Sequence, residues 1–206
     1  MRSIYFITFL FVLISSIFFA QDMSESNGRS YVFNLLPSSK KNSYGLSIGL
    51  IGSEVICNVK GVKNSNGLNF QLIGQGLFIP LNFSVYKYEN SFFSDSSWMV
   101  SNFDVKNYKA RHNGLLLSLF GTMTDEINGV SISCLSSMGQ RINGVSINFF
   151  MNLYTIQNGV SVSFYNASNT LNGLQIGIIN KTTKIKGLQI GIWNVNEKRK
   201  FPIFNW

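Results

Sequence analysis

The chain has 206 residues, of which 45% are hydrophobic and only 13% charged, with 18 Gly, 18 Phe and a formal net charge of +8. That balance is too apolar for a disordered chain and too rich in turn-forming residues for a helical bundle, so an all-β protein of one domain plus a targeting segment is expected. Many of the bases sit in turns, as in Lys40-Lys41 and Lys198-Arg199-Lys200, and no recognised motif accompanies them; nucleic acid is disfavoured as a partner.

Residues 1–20 stand apart. Arg2 precedes an apolar run from Ile4 to Phe19, broken only by Thr8, Ser15 and Ser16; Ala20 and the polar Gln21-Asp22 follow. This is the order of a secretory signal peptide. An uncleaved anchor is the alternative, since sixteen apolar-dominated residues reach only the lower edge of a membrane span. Export from a bacterial cell is therefore expected, to the cell surface, the outer membrane or the medium. Cys57 and Cys134 are the only cysteines. They could pair after export, but sequence cannot place their Cα atoms within bridging distance. Cys134 falls at an apolar repeat position, where a buried free thiol serves as a small hydrophobe.

Residues 21–112 read as an N-terminal β region. It holds scattered copies of one motif, YGLSIGLIG at Gly45, NGLNFQLIG at Gly67 and a degenerate GLFIPLNF at Gly76. From Leu77 to His112 no repeat is visible, and an irregular insertion carries Phe92, Phe93 and Trp98 as core fillers or exposed contacts.

Residues 113–206 are a regular β-repeat region with a C-terminal cap. Asn-Gly-(Val/Leu)-x-(Ile/Val) recurs with glycine at Gly114, Gly129, Gly144, Gly159, Gly173 and Gly187, at intervals of 15, 15, 15, 14 and 14. After each glycine, apolar residues alternate with Ser, Asn, Gln or Gly, as in Val145, Ile147 and Phe149 against Ser146 and Asn148. Period two over six residues is a half-buried strand, with the β-branched face expected inward. The sixth residue is apolar again (Phe120, Leu135, Phe150, Tyr165, Ile179, Trp193) and marks a corner. Asn-Gly before the strand and Asn166, Asn180 and Asn194 after it are expected in turns. Ile127, Ile142, Leu171 and Ile185, two before their glycines, are expected as anchors, shifted to Ile156 in the fourth copy. Because every turn looks alike, a parallel β-solenoid of 14–15-residue coils fits best. The alternatives are an antiparallel meander or sandwich, and a small outer-membrane β-barrel with a polar lumen. Strands of about seven residues fall short of the nine to eleven needed to cross a membrane as a barrel.

GLQIGIIN (173–180), GLQIGIWN (187–194) and the closing FPIFNW (201–206) resemble the GLQIG-type surface-repeat proteins of spirochaetes and Bacteroidetes. Over 113–172 the likeness is looser, with Ser in place of Gln and Gly. The resemblance implies export and surface exposure, and it carries over no catalytic residues.

Catalytic groupings are scarce. His112 is the only histidine, and Asp125 and Glu126 are the only acids between residues 113 and 196. A glycosidase or lyase needs opposed carboxylates in a groove, which such repeats do not supply. No catalytic, cofactor-binding or metal-ligating residue is assigned, and no cofactor is expected. The one candidate interaction face is a hydroxyl grid formed by Ser131, Ser133, Ser146, Asn148, Ser161 and Ser163, of a kind that orders water or binds saccharide. Envelope glycans and a host or neighbouring-cell surface are the candidate partners. The expected function is a non-enzymatic exported surface-repeat protein for adhesion, interaction or shielding. An outer-membrane barrel is the alternative, and a glycan- or ice-binding solenoid a minor one.

Overall fold

Successive copies of the motif lie side by side in the same direction. Gly114 pairs with Gly129, Gly129 with Gly144, Gly144 with Gly159, Gly159 with Gly173 and Gly173 with Gly187. A computed structural model describes residues 30–36, 42–50, 62–74 and 109–206. Its strands are β1 (Ser30–Leu36), β2 (Asn42–Gly49), β3 (Val62–Gln71), β4 (Lys109–Ser118), β5 (Gly121–Met123), β6 (Glu126–Ser133), β7 (Ser136–Asn148), β8 (Met151–Val162), β9 (Tyr165–Ile176), β10 (Ile179–Val195) and β11 (Lys200–Asn205). One sheet runs β1-β2-β3-β4-β6-β7-β8-β9-β10-β11, with β5 beside β7. Every pairing from β1 to β10 is parallel. The protein is a β-solenoid of about seven turns. The parallel direction removes both alternatives, since a meander and a membrane barrel join antiparallel neighbours.

The scattered N-terminal copies belong to the same stack. Gly45 pairs with Gly67 and Gly67 with Gly114, so the sheet is continuous across the stretch between β3 and β4. The candidate signal segment, Cys57, the degenerate copy at Gly76 and the aromatics Phe92, Phe93 and Trp98 lie outside the described residues.

Two local expectations are corrected. The Asn-Gly pairs stand inside strands rather than in turns, and Asn166 and Asn180 likewise lie within β9 and β10. The corners fall later: bends occupy 149–150 between β7 and β8, and 163–164 between β8 and β9. In the 15-residue coils the sixth residue, such as Phe150, is at the corner as expected. In the 14-residue coils it has moved into the next strand, where Tyr165 pairs with Met151 and Ile179 with Tyr165.

The C-terminal cap is a reversal of direction. β11 runs antiparallel to β10, and the turn is held by Asn196, whose Oδ1 accepts the Lys198 and Arg199 backbone N–H groups at 2.9 Å each. Arg199 then lies over the Trp206 ring, 4.1 Å from its centre.

The glycine column fixes how closely coils approach. Gly144 has φ of 141°, and a Cβ there would collide with the carbonyl oxygen of Gly129 directly beneath it. Both the backbone angle and the space forbid a side chain. Gly144→Ala is expected to destabilise the fold by about 3 kcal/mol or more, read as a lowered melting midpoint by circular dichroism. A change below about 1 kcal/mol would contradict the close stacking.

Candidate functional site

The alternation along each strand assigns one set of side chains to the interior of the coil and the other to its outside, and the assignment is the reverse of the expected one. Ser131, Ser146 and Ser161 are 0% exposed, and Ser133, Asn148 and Ser163 are also buried. Their strand neighbours Ile132, Ile147 and Phe149 are 40%, 41% and 74% exposed. The hydroxyl grid is therefore a lining, closed to saccharide and ice, and the apolar rows are the surface.

In the C-terminal coils the interior is stabilised because one coil offers the next the same amide at the same height. Burying an unpaired amide costs about 1–3 kcal/mol, whereas a satisfied one is close to neutral. Asn152 donates through Nδ2 to Asn166 Oδ1 at 3.0 Å, Asn166 to Asn180 at 2.8 Å and Asn180 to Asn194 at 2.8 Å. The same amides also donate to the backbone carbonyls of Val162, Ile176 and Ile190 across the coil. A second column links Gln175 to Gln157 and Gln189 to Gln175, both at 2.9 Å, and ends on Asn205 of β11. A third, half-buried column just before the glycines joins Asn113, Asn128, Asn143, Asn158 and Asn172 at 2.6–2.7 Å. The serines fit between: Ser146 donates to Asn152 at 2.6 Å, and Ser163 to the Tyr165 carbonyl at 2.7 Å.

Apolar residues enter the interior in few places. Leu116, Ile127, Ile142 and Tyr154 make one buried cluster, and Met138, Met151, Leu153, Tyr165 and Ala167 another. Tyr154 donates to Ser137 at 2.8 Å, and burial holds its phenol above the ordinary range. Burial likewise pushes Tyr165 up to about 12. Ile127, Ile142 and Leu171 are anchors as expected, but the fourth anchor is Gln157, which pairs with Ile142 in register and is buried. Ile156 is half-exposed on the outside.

His112 occupies the anchor position of its coil, opposite Ile127. Its ring is buried and neither nitrogen makes a hydrogen bond of ordinary geometry. Burial lowers its pKa to about 4, only partly offset by an approach to the Leu115 backbone. Asp125 and Glu126 have structural tasks: Asp125 accepts the Ala110 N–H at 2.8 Å, and Glu126 pairs with Arg111 at 2.7 Å. No group of three potential metal ligands occurs among the described residues.

On the outside, three rows run along the stack on β2, β3, β4, β6, β7, β8, β9 and β10. One residue past each glycine are Leu46, Leu68, Leu115, Val130, Val145, Val160, Leu174 and Leu188. Three past are Ile48, Phe70, Leu117, Ile132, Ile147, Val162, Ile176 and Ile190; five past are Leu50, Leu72, Leu119, Cys134, Phe149, Phe164, Ile178 and Ile192. No charged or hydrogen-bonding polar residue interrupts these rows; Cys134 among them is a free, exposed thiol rather than a buried one. Phe150 and Phe164 stack at 6.4 Å along one margin. Toward the C-terminal end the wall is hollowed into an open groove of about 650 Å³, lined by Val162, Phe164, Ile176, Ile178, Ile190, Ile192 and Ile203 among others.

The molecule is thus a parallel β-solenoid with a polar interior and an apolar outer wall. No family model, curated protein or solved structure matches the chain.

Two measurements test this inside-out arrangement. Asn180→Ala deletes two donated hydrogen bonds and the one it accepts, and is expected to cost about 3 kcal/mol. Ile147→Ser, on the wall in β7, is expected to cost about 1 kcal/mol or less in denaturant unfolding. The opposite ranking would put the apolar rows inside. For His112 the folded pKa lies below the unfolded value of 6.5, so charging it opposes folding. Above pH 6.5 there is no charging cost, and about 3 kcal/mol of stability is lost as pH falls from there to about 4. His112→Ile, which restores the residue of the next two coils, is expected to flatten that acid limb; an unchanged pH profile would show that His112 is not its source.

Proposed function

We propose that the protein is a non-enzymatic, exported surface-repeat protein that works by presenting its apolar wall to another surface. The observation that carries this is the wall itself. Packing between like residues in these rows helps hold one coil on the next, but the ladders inside and the backbone pairing already do so, and stacking alone does not call for three continuous rows of Leu, Val, Ile and Phe in water. Contiguous apolar surface of this extent marks interaction sites. The apolar run before Ala20 supports export, and the resemblance to GLQIG-type repeat proteins supports exposure at the cell surface. A presenting role is also favoured by the placement of the chain's one histidine, which is buried, and of Asp125 and Glu126, which are engaged in holding neighbouring coils.

Localisation tests it. In the producing cell the chain is expected to lose residues 1–20 and to be cut by protease added to intact cells. A full-length chain retained in the cytoplasm would overturn export, and with it the presenting role at the surface.

A further inference from the structure

We infer that the occupant of the wall is a second copy of this chain, packed face to face through the same rows. The inference rests on the wall being an interaction surface, and it names the partner. The first support is area. Fourteen wall side chains from Leu68 to Ile192 are 36–74% exposed, while Leu117, Leu174 and the valines between them are half-buried. With large apolar side chains offering roughly 150–200 Å² each, this amounts to on the order of 1,000 Å². That exceeds the roughly 300–600 Å² of a typical monomer's largest patch and reaches the roughly 800 Å² per partner of a stable interface.

The second support is shape. The rows repeat at the strand spacing of about 4.8 Å, so the walls of two copies share one period. Two such faces can interdigitate at the roughly 10 Å separation of stacked sheets, and a two-fold axis makes each patch its own complement.

Charge separates a second copy from a lipid surface. A basic protein seated on an anionic membrane would set Lys and Arg around its apolar face. The row bordering the wall on the glycine side is instead neutral asparagine from β3 to β9, with Lys186 in that place on β10 alone, and the next row mixes Arg111, Glu126, Arg141, Ile156, Thr170 and Lys184 rather than forming a basic rim. End-to-end growth is disfavoured on the C-terminal side, because β11 reverses direction there and carries Lys200 and the exposed Pro202, which lacks a backbone donor. Association is directed to the face.

The test uses protein purified from cells expressing the full chain, at micromolar concentration, by sedimentation velocity. Wild type is expected to be a dimer. Ile147→Lys with Ile176→Lys places two charges in the wall without touching the interior, and is expected to weaken self-association about 100-fold or more while circular dichroism stays unchanged. Gln140→Lys, exposed within β7 and outside the three wall rows, keeps the dimer and controls for added charge. A dimer that survives the two wall lysines overturns the inference. A wild-type monomer also overturns it, and flotation with vesicles of phosphatidylglycerol and phosphatidylcholine then separates the two failures. If the monomer floats, the wall meets lipid and the presenting role stands. If it does not, the wall as an interaction surface falls too.

Discussion

The structure depends on in-register stacking of amides. An asparagine side chain has two hydrogens to give and one oxygen to receive, and once buried these groups are costly without partners. Asn166 is met on both sides: it accepts from Asn152, donates to Asn180, and sends its second hydrogen to the Ile176 carbonyl. Only a neighbouring coil at the same height supplies that set. A slip of one residue would bring isoleucine and leucine opposite the amides and leave donors unpaired along the whole column. Parallel direction, register and the glycine column follow from this requirement, because the coils must come close enough for an amide to reach its twin.

The outer wall follows from the same requirement. A strand has two faces, and once Ser146, Asn148 and Asn152 face the interior, Val145, Ile147 and Phe149 have nowhere else to point. The outward rows remain β-branched and aromatic because those residues suit a pleated surface and add cross-strand packing between coils. Stability and surface character thus come from opposite faces of the same strands, and the surface rows are free to serve contact. The buried clusters around Met138, Leu153 and Ala167 and around Leu116, Ile127 and Ile142 show that apolar packing contributes beside the ladders.

Much of the architecture was legible in the residues. Regular glycine intervals and identical turns separated a solenoid from a barrel, and Gly45 and Gly67 were legible as copies even far from the rest. The inversion was not, because period two distinguishes two faces without saying which one is inside. The rule that apolar residues face inward presumes a core wide enough to hold them, and a coil of 14–15 residues is narrow. One signal was available. The presumed solvent face repeats Gln175 and Gln189 at one position and Gly177 and Gly191 at another. A solvated face needs neither identical amides nor glycine, whereas an amide column needs both: a Cβ at Gly191 would strike the Asn180 amide. Gln157 hid for the same reason, since Ile156 beside it looked like the anchor.

The change of coil length shows which features the fold protects. Between the 15- and 14-residue coils one residue disappears, and it disappears at the bend, where 149–150 precede Met151 but Phe164 alone separates Ser163 from Tyr165. Asn152 still pairs with Asn166, and Gly159 with Gly173, so neither the amide column nor the glycine column notices the loss. The wall absorbs variation of a different kind: its rows pass among Leu, Val, Ile, Phe and Cys134 without a polar intrusion. Interior positions keep the chemistry of their hydrogen bonds, corners yield length, and the wall keeps only hydrophobicity. A surface held to that single constraint suits a flat, shape-tolerant contact with another extended apolar face, rather than a pocket cut for one small ligand.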